Sequence, residues 1–195
     1  MRRFFHTSLA CLLGALLVTS AQAAPVTLAD VTYVDSVKLQ NSPLQLNGAG
    51  IRYKAVFKVY TAGLYLERKA STTPEVFALA GPKRLSITML REIDSSELGK
   101  LFSRGMEDNM ERASFSKLIP GVLRMSQIFS DHKKLQAGDS FMIDWVPGQG
   151  TVITVKGVVQ GEPFKEPAFF NALLGIWLGP KPADWKLKDA LLGKE

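Results

Sequence analysis

Arg52 stands in a stretch, Gly48 to Glu67, whose residue types could hold an anion. The stretch reads GAGIRYKAVFKVYTAGLYLE, and its alternation of apolar and polar residues predicts one long, half-buried β-strand. Arg52 shares a face of this strand with Tyr60, and Thr61 is adjacent. A guanidinium in this company can hold a carboxylate or a phenolate through charge-assisted hydrogen bonds, provided that a helix covers that face. The alternative is that Arg52 lies at a solvent-facing edge of the sheet.

Other side chains that could do chemistry show no catalytic pattern. His132 lies in a charged sequence at a helix end with no nucleophile nearby in the chain, which predicts a solvated surface role. Gly48-Ala49-Gly50 precedes a strand and lacks the Lys-Ser/Thr pair of a phosphate-binding loop, so it predicts a turn. Four carboxylates lack the paired spacing of a metal site or an acid–base pair: Glu92, Asp94, Asp139 and Asp144.

The first 23 residues have the three parts of a secretory signal peptide. Two arginines near the start precede an apolar run over residues 9–18, and Ala21-Gln22-Ala23 is typical of a cleavage site. The apolar run is far shorter than the roughly 20 residues that span a bilayer, and no lipobox cysteine follows it. We expect cleavage after Ala23, no stable membrane anchor, and a single domain over residues 24–195 that is periplasmic or secreted.

Cleavage of this segment would remove Cys11, the only cysteine, and His6, one of the two histidines. The remaining chain could form neither a disulfide nor a thiolate, cysteine–zinc or multi-histidine site, so no metal or other cofactor is predicted. The formal net charge of +6 would fall to +4 with the loss of Arg2 and Arg3. Outside the cytoplasm this weak excess does not indicate nucleic acid as a partner, but it would tolerate anionic ligands or lipid headgroups.

Hydrophobic periodicity predicts an α+β fold with a largely antiparallel sheet and helices layered on one face. Strands are expected within residues 26–46, 48–67 and 85–90, in a hairpin over 141–155, and at 158–159. Helices are expected to begin at Thr73 and after Asp94, and to cover residues 122–129, 168–178 and 184–192. The helix after Asp94 has one apolar face, formed by Leu98, Leu101, Phe102, Gly105, Met106, Asn109, Met110 and Ala113.

The stretch from Gly48 to Glu67 resembles the signature strand of the chalcone isomerase family. The shared features are a glycine-rich start, an arginine, and an end similar to Gly63-Leu64-Tyr65-Leu66-Glu67. The resemblance continues through Thr88-Met89, the hairpin over residues 138–154 and the helix containing residues 173–179. It implies a chalcone isomerase-like fold and is strongest to exported bacterial chalcone isomerase-like proteins.

The resemblance also implies roles for particular residues. Arg52 matches the arginine that steadies the deprotonated chalcone hydroxyl in the isomerases and holds a carboxylate in the fatty-acid-binding members. Tyr60 falls where the enzymes have an active-site threonine, with Thr61 beside it, so these three residues are the candidates for catalysis. The enzymes' tyrosine and asparagine are matched by Leu98 and Gly105, and apolar Ile176 falls near their polar specificity residue.

Chalcone cyclisation needs a cation for the phenolate and a hydrogen-bonded network at the developing enolate. A site that keeps the arginine but replaces the polar partners is better suited to binding a small hydrophobic or anionic molecule, such as a fatty acid, without flavonoid cyclisation. Two alternatives are an isomerase or lyase for an unsaturated carbonyl compound, with Arg52 holding the oxyanion, and a structural or partner-binding module. The expected ligand-binding residues are Arg52, Tyr60, Thr61, Leu98, Phe102, Met106 and Ile176.

Overall fold

The computed structural model describes residues 25–194. The predicted signal peptide, residues 1–23, lies outside the described residues. The strands are β1 (Val26–Leu28), β2 (Val31–Tyr33), β3 (Ser36–Leu39), β4 (Ser42–Lys54), β5 (Phe57–Leu66), β6 (Lys83–Met89), β7 (Ile93–Asp94), β8 (Lys134–Leu135), β9 (Ser140–Val146), β10 (Gly150–Val155) and β11 (Val158–Val159). The helices are α1 (Thr73–Ala78), α2 (Ser95–Asp108), α3 (Arg112–Ser130), α4 (Pro167–Leu178) and α5 (Trp185–Leu191).

One antiparallel sheet of seven strands organises the described chain. Its order is β11-β10-β9-β6-β5-β4-β3, and every neighbouring pair is antiparallel. The helices cover one face of this sheet, where they build the main core with apolar side chains of β5, β6, β9 and β10. On the opposite face the β1–β2 hairpin covers a smaller apolar cluster that contains Tyr33, Leu46 and Tyr65. The predicted α+β architecture, with helices on one face of an antiparallel sheet, is confirmed.

The stretch from Gly48 to Glu67 is not one long strand, and that prediction is wrong. Strand β4 ends at Lys54, a two-residue turn follows, and β5 returns antiparallel to β4. The turn, Ala55-Val56, contains no glycine, proline or asparagine, and Ala55 itself adopts the left-handed backbone conformation (φ = 54°). Because the apolar–polar alternation continues on both sides of this turn, the sequence pattern alone does not reveal it.

Helix α3 also differs from its prediction, because it begins at Arg112 and passes through Pro120. A proline inside a helix removes one backbone hydrogen bond and usually marks a boundary, so the sequence predicted only a shorter helix over residues 122–129. The side chains of Leu118 and Val122, on either side of the proline, are both buried in the main core. Their burial holds the helix continuous across the missing hydrogen bond.

Helix α2 is shorter than its apolar face suggested, because it ends at Asp108 rather than near Ala113. The side-chain amide of Asn109 donates hydrogen bonds to the carbonyl oxygens of Gly105 (2.8 Å) and Lys181 (2.9 Å). Its carbonyl oxygen accepts a hydrogen bond from the backbone N–H of Lys181 (2.7 Å). Asn109 therefore joins the end of α2 to the loop between α4 and α5.

Candidate ligand-binding site

A cavity of about 200 Å³ lies between the helix-covered face of the sheet and helices α2 and α4. We call it the Arg52 cavity. Strands β4 and β5 form one wall, α2 and α4 form the others, and the loop before α5 borders it. The lining residues are Arg52, Val59, Tyr60, Ile93, Leu98, Leu101, Phe102, Arg104, Gly105, Asp108, Ile176, Trp177, Lys181, Pro182 and Ala183.

Two glycines of β4 explain how Arg52 reaches this cavity. Residues 48, 50 and 52 share one face of the strand, and α5 packs directly on it. A Cβ atom at Gly48 would lie 2.0 Å from the carbonyl oxygen of Ala190, and one at Gly50 would lie 2.7 Å from the Ala190 Cβ. Only glycine permits this close approach, so the glycine-rich start of the stretch seats α5. Two residues further on, the same face of the strand carries the Arg52 side chain into the cavity wall.

The hairpin places Tyr60 directly opposite Arg52. The two residues are register partners in the β4–β5 pair, and the Arg52 Cζ lies 5.7 Å from the centroid of the Tyr60 ring. The two side chains therefore share the helix-covered face, as the sequence predicted, although they belong to different strands. This geometry permits a cation–π contact and brings a positive charge beside a phenol.

Trp177 orients the hydroxyl group of Tyr60. The indole Nε1–H of Trp177, in α4, donates a 2.8 Å hydrogen bond to the Tyr60 hydroxyl oxygen, and both side chains are buried. An indole can only donate, so the phenol must act as the acceptor in this pair and keeps its own hydrogen for another partner. Within residues 25–194 no protein acceptor lies in range of that hydrogen. The Tyr60 O–H is thus available to an acceptor atom of a ligand.

Arg52 forms no ion pair with a carboxylate within the described part of the chain. No Asp or Glu oxygen of residues 25–194 lies within 4.0 Å of its guanidinium nitrogens, and the side chain is half-buried. Arg104 and Lys181 add two exposed cations to the cavity lining, and the one lining carboxylate, Asp108, lies 3.7 Å from Arg104. The lining therefore carries a net positive charge that favours an anion.

The opposite wall of the cavity is apolar. Leu98 and Phe102 present the buried face of α2, and Ile176 presents α4. Gly105 lets these helices approach closely, because a Cβ atom there would lie 3.1 Å from two carbon atoms of the Ile176 side chain. Phe102 also packs edge-on against Phe129, with their ring centroids 5.0 Å apart, so the wall is fixed by the main core. One side of the cavity thus suits a charged head and the other an apolar body.

This arrangement can bind and polarise an oxyanion through the Arg52 cation and the Tyr60 O–H. The lining offers no side chain placed as a general base, since its one carboxylate is exposed beside Arg104. Among the described residues no group of three or more His, Cys, Asp or Glu side chains could hold a metal ion. The described chain also contains no helix with the length and apolar character of a membrane span.

A sequence model of the chalcone isomerase-like family matches residues 25–193. The chain belongs to the chalcone isomerase-like family. Its fold is also similar to that of a solved structure of a fatty-acid binding protein from Arabidopsis thaliana, with a TM-score of 0.67. The two chains are 14% identical, and the match covers 86% of this chain and 95% of the plant protein. At this identity the likeness shows the fold alone. No curated protein sequence is significantly similar to this chain.

The cavity of this chalcone isomerase-like protein contains five of the seven residues expected at a ligand site: Arg52, Tyr60, Leu98, Phe102 and Ile176. Thr61 lies on the opposite face of the sheet, where its hydroxyl accepts a 2.8 Å hydrogen bond from the Tyr33 hydroxyl. Met106 is buried in the main core and does not line the cavity. Thr61 is displaced because adjacent strand residues face opposite sides, and Tyr60 already occupies the cavity side.

Two positions that the family resemblance assigned to polar residues of the enzymes do face the cavity. Leu98, matched to the enzymes' tyrosine, and Gly105, matched to their asparagine, both belong to the lining. Neither supplies a hydrogen-bonding side chain. The apolar character of this wall therefore results from the residue types at these two positions.

Sequence reasoning missed four polar side chains of the lining, namely Trp177, Arg104, Asp108 and Lys181. Trp177 lies in an almost wholly apolar helix, LLGIWLG, which indicates plain core. Its indole N–H was the available signal, because a buried tryptophan usually has a hydrogen-bond acceptor. Arg104, Asp108 and Lys181 gave no such signal, since each is a charged residue in a sequence typical of a solvated surface.

The stability of the fold should report on Tyr60 at high pH. Burial raises the pKa of Tyr60 to about 12, against the lowering effects of the Arg52 charge and the Trp177 hydrogen bond. Above the ordinary tyrosine pKa of about 10, the unfolded chain releases this proton while the folded chain keeps it, so folding loses stability as the pH rises. We expect Tyr60 to account for a fall of about 2 kcal/mol in the free energy of unfolding between about pH 10 and pH 12.

Urea unfolding at several pH values would measure this fall, and Tyr60→Phe is the matched comparison. The phenylalanine variant should show a shallower decline over the same pH range, whatever its stability at neutral pH. Identical slopes for the two proteins would contradict the assignment of the raised pKa to Tyr60.

Proposed function

We propose that this protein binds a small amphiphilic anion, a fatty acid or a related metabolite, in the Arg52 cavity and does not cyclise flavonoids. The observation that carries the proposal is the guanidinium of Arg52, which has no carboxylate partner within residues 25–194 and faces a cavity whose opposite wall is apolar. A carboxylate there would receive charge-assisted hydrogen bonds from Arg52 and a further hydrogen bond from the Tyr60 O–H. The plant structure of this fold, a fatty-acid binding protein, supports the same ligand class.

The size of the cavity limits how much of a ligand it can enclose. Its volume of about 200 Å³ equals that of roughly seven water molecules in the liquid. A medium-chain acid of roughly that many carbon atoms would fill the space between Arg52 and the α2 wall. A longer chain would extend out of the cavity, whose exposed lining residues are Leu101, Arg104, Asp108 and Lys181.

We also place this function outside the cytoplasm, in the periplasm or as a secreted protein. The support is the signal-peptide sequence of residues 1–23. Intact-mass spectrometry of the exported protein tests this proposal. A chain that begins at Ala24 would agree with it, and a chain that retains Met1 would contradict it.

Isothermal titration calorimetry with octanoate as the ligand tests the role of Arg52. Replacing Arg52 by alanine removes a charged hydrogen-bond donor, and we expect the affinity for octanoate to fall by about 10- to 100-fold. Arg68→Ala is the control, because it removes the same charge from an exposed position that does not line the cavity. The control variant should bind octanoate as the unchanged protein does.

Octanol provides a second comparison, because it has the same apolar chain without the carboxylate. It should bind more weakly than octanoate, and Arg52→Ala should hardly change its affinity. The proposal is wrong if octanoate binds equally to the unchanged protein and to Arg52→Ala, or if neither binds it. Turnover of chalcones or enones that depends on Arg52 would instead favour the isomerase alternative.

A further inference from the structure

The turn between β4 and β5 exposes apolar side chains that do not line the Arg52 cavity. We call residues 53–58 the hairpin tip. Val56 is 82% exposed and Phe57 is 59% exposed, and Tyr53 is also exposed. None of these three side chains lines the Arg52 cavity. Large apolar groups this exposed at adjacent positions of a turn are unusual in a soluble domain and mark interaction surfaces.

A second structural element enlarges this apolar surface. The backbone N–H of Tyr53 donates a 2.9 Å hydrogen bond to Asp184 Oδ2, which holds the start of α5 against the end of β4. The first residue of that helix is Trp185, whose side chain is 60% exposed. Trp185 therefore directly follows the residue that contacts the hairpin tip, and tryptophan is enriched where an apolar phase meets water.

Cations surround the apolar side chains. Lys54 and Lys58 belong to the hairpin tip and are exposed, and the Arg91 Cζ lies 5.3 Å from the ring centroid of Phe57. Lys186 is exposed next to Trp185. The nearest carboxylate in sequence to Arg91 is Glu92, which is paired with Lys134 at 2.7 Å. Three further carboxylates lie near these cations: Asp94 and Glu97 line a groove with Lys54 and Arg91, and Asp184 contacts Tyr53. Asp94 and Asp184 accept hydrogen bonds from the backbone N–H groups at the starts of α2 and α5, so among the described residues here the cations outnumber the carboxylates that lack a partner. The surface around the hairpin tip therefore combines apolar groups with exposed cations.

We propose that the hairpin tip, together with Trp185, docks on the surface of a bilayer that contains anionic phospholipids. Apolar side chains inserted at the level of the headgroups and cations that contact lipid phosphates are the two components of peripheral membrane binding. A second copy of this chain fits the surface less well, because pairing two such patches would oppose cation to cation. The proposal goes beyond ligand binding in the cavity, and it requires only the outer face of the hairpin.

The position of the surface gives the docking a consequence for the cavity. Arg52 and Val59 flank the hairpin tip in sequence, and both line the cavity. A bilayer in contact with the tip would therefore lie close to the cavity wall that carries Arg52. Docking would place the cavity next to the phase in which fatty acids are most concentrated.

Co-sedimentation of the whole protein with lipid vesicles tests the proposal. One set of vesicles contains equal parts of phosphatidylglycerol and phosphatidylcholine, and the other contains phosphatidylcholine alone. We expect binding to the anionic vesicles that weakens with added salt, and little binding to the neutral ones. The double variant Val56→Ser/Phe57→Ser should reduce binding to anionic vesicles by about tenfold or more, because it removes the inserted apolar area.

The matched control is Val158→Ser/Val159→Ser. These two valines of β11 are 62% and 58% exposed, but they lie at the far edge of the sheet, four strands from β5. Their replacement should leave vesicle binding unchanged. A third variant, Lys54→Gln/Lys58→Gln, keeps the apolar groups and should lose about fivefold per cation removed.

The proposal is overturned if the protein does not bind anionic vesicles, if it binds both kinds of vesicle equally, or if the Val56/Phe57 variant binds as well as the control. A dimer in sedimentation velocity that the same variant dissociates, without vesicle binding, would assign the surface to a second copy and would also overturn it. Octanoate titration of the same variants distinguishes a failure of membrane docking from a failure of ligand binding in the cavity. The hairpin-tip variants should bind octanoate normally, so a failure of docking leaves the proposed ligand binding intact, and the reverse also holds.

Discussion

Replacing Arg84 by methionine is expected to lower the free energy of unfolding by about 3–5 kcal/mol. Arg84 in β6 and Asp144 in β9 are register partners, and two hydrogen bonds join their side chains, from Nε (2.7 Å) and from one guanidinium NH2 group (2.6 Å). Asp144 is buried, so the variant would leave an ionised carboxylate without a partner between two central strands. Urea unfolding at neutral pH measures the loss.

Comparison with a double variant shows whether the loss arises from the stranded charge. Arg84→Met/Asp144→Leu removes both charges, and we expect it to recover most of the stability lost in the single variant. Burial already raises the pKa of Asp144, against the lowering effect of Arg84. Removing Arg84 should raise this pKa further, so the single variant should lose less stability near pH 4 than at neutral pH. A double variant as unstable as the single one would contradict this explanation.

Replacing Phe102 by alanine should have two separate effects. Phe102 is buried against Phe129, Phe141 and Trp177, with ring centroids 5.0, 5.7 and 5.9 Å away, so its removal should cost about 3–5 kcal/mol of stability. Because Phe102 also lines the Arg52 cavity, the space it vacates would join the cavity. Longer ligands should then fit. The affinity for decanoate relative to octanoate should rise by about fourfold for each additional buried methylene.

Phe129→Ala is the matched control for this experiment. Phe129 is fully buried in the same aromatic cluster, but it does not line the cavity. It should lose a similar amount of stability without any change in the preference for chain length. If either alanine variant fails to fold, Phe102→Leu and Phe129→Leu can be compared in the same way. Equal chain-length preferences in the two variants would show that the cavity is not where the ligand binds.

Two hairpins of the main sheet differ in how clearly the sequence marks their turns. The hairpin over residues 141–155 was predictable, because Pro147 and Gly148 mark its turn and the strands on either side alternate clearly. The hairpin between β4 and β5 was not, because Ala55 and Val56 carry none of the residues that signal a turn. Pairing with neighbouring strands overcomes the unfavourable local conformation of Ala55, and that pairing is a long-range effect.

Some residues of the candidate site could be predicted from local sequence patterns, and others could not. Arg52 and Tyr60 could be assigned to one face from periodicity, and Leu98 and Phe102 to the apolar face of α2. The hydrogen bond between Trp177 and Tyr60 joins residues 117 positions apart, so no local pattern indicated it. Thr61 was expected at the site because it is adjacent to Tyr60. Adjacent residues of a strand face opposite sides of the sheet, so Thr61 does not reach the cavity.

By itself, the sequence determined which residue types share a face and which family the chain resembles, because both depend on short-range spacing. Only the tertiary structure decided that the long strand turns back at Ala55, that α5 seats on Gly48 and Gly50, and that α2 and α4 enclose Arg52 beside Tyr60. Those outcomes depend on which distant element covers a given face, and that choice is made by packing across the whole core. Arg52 could be singled out from the sequence, and the cavity beside it could not.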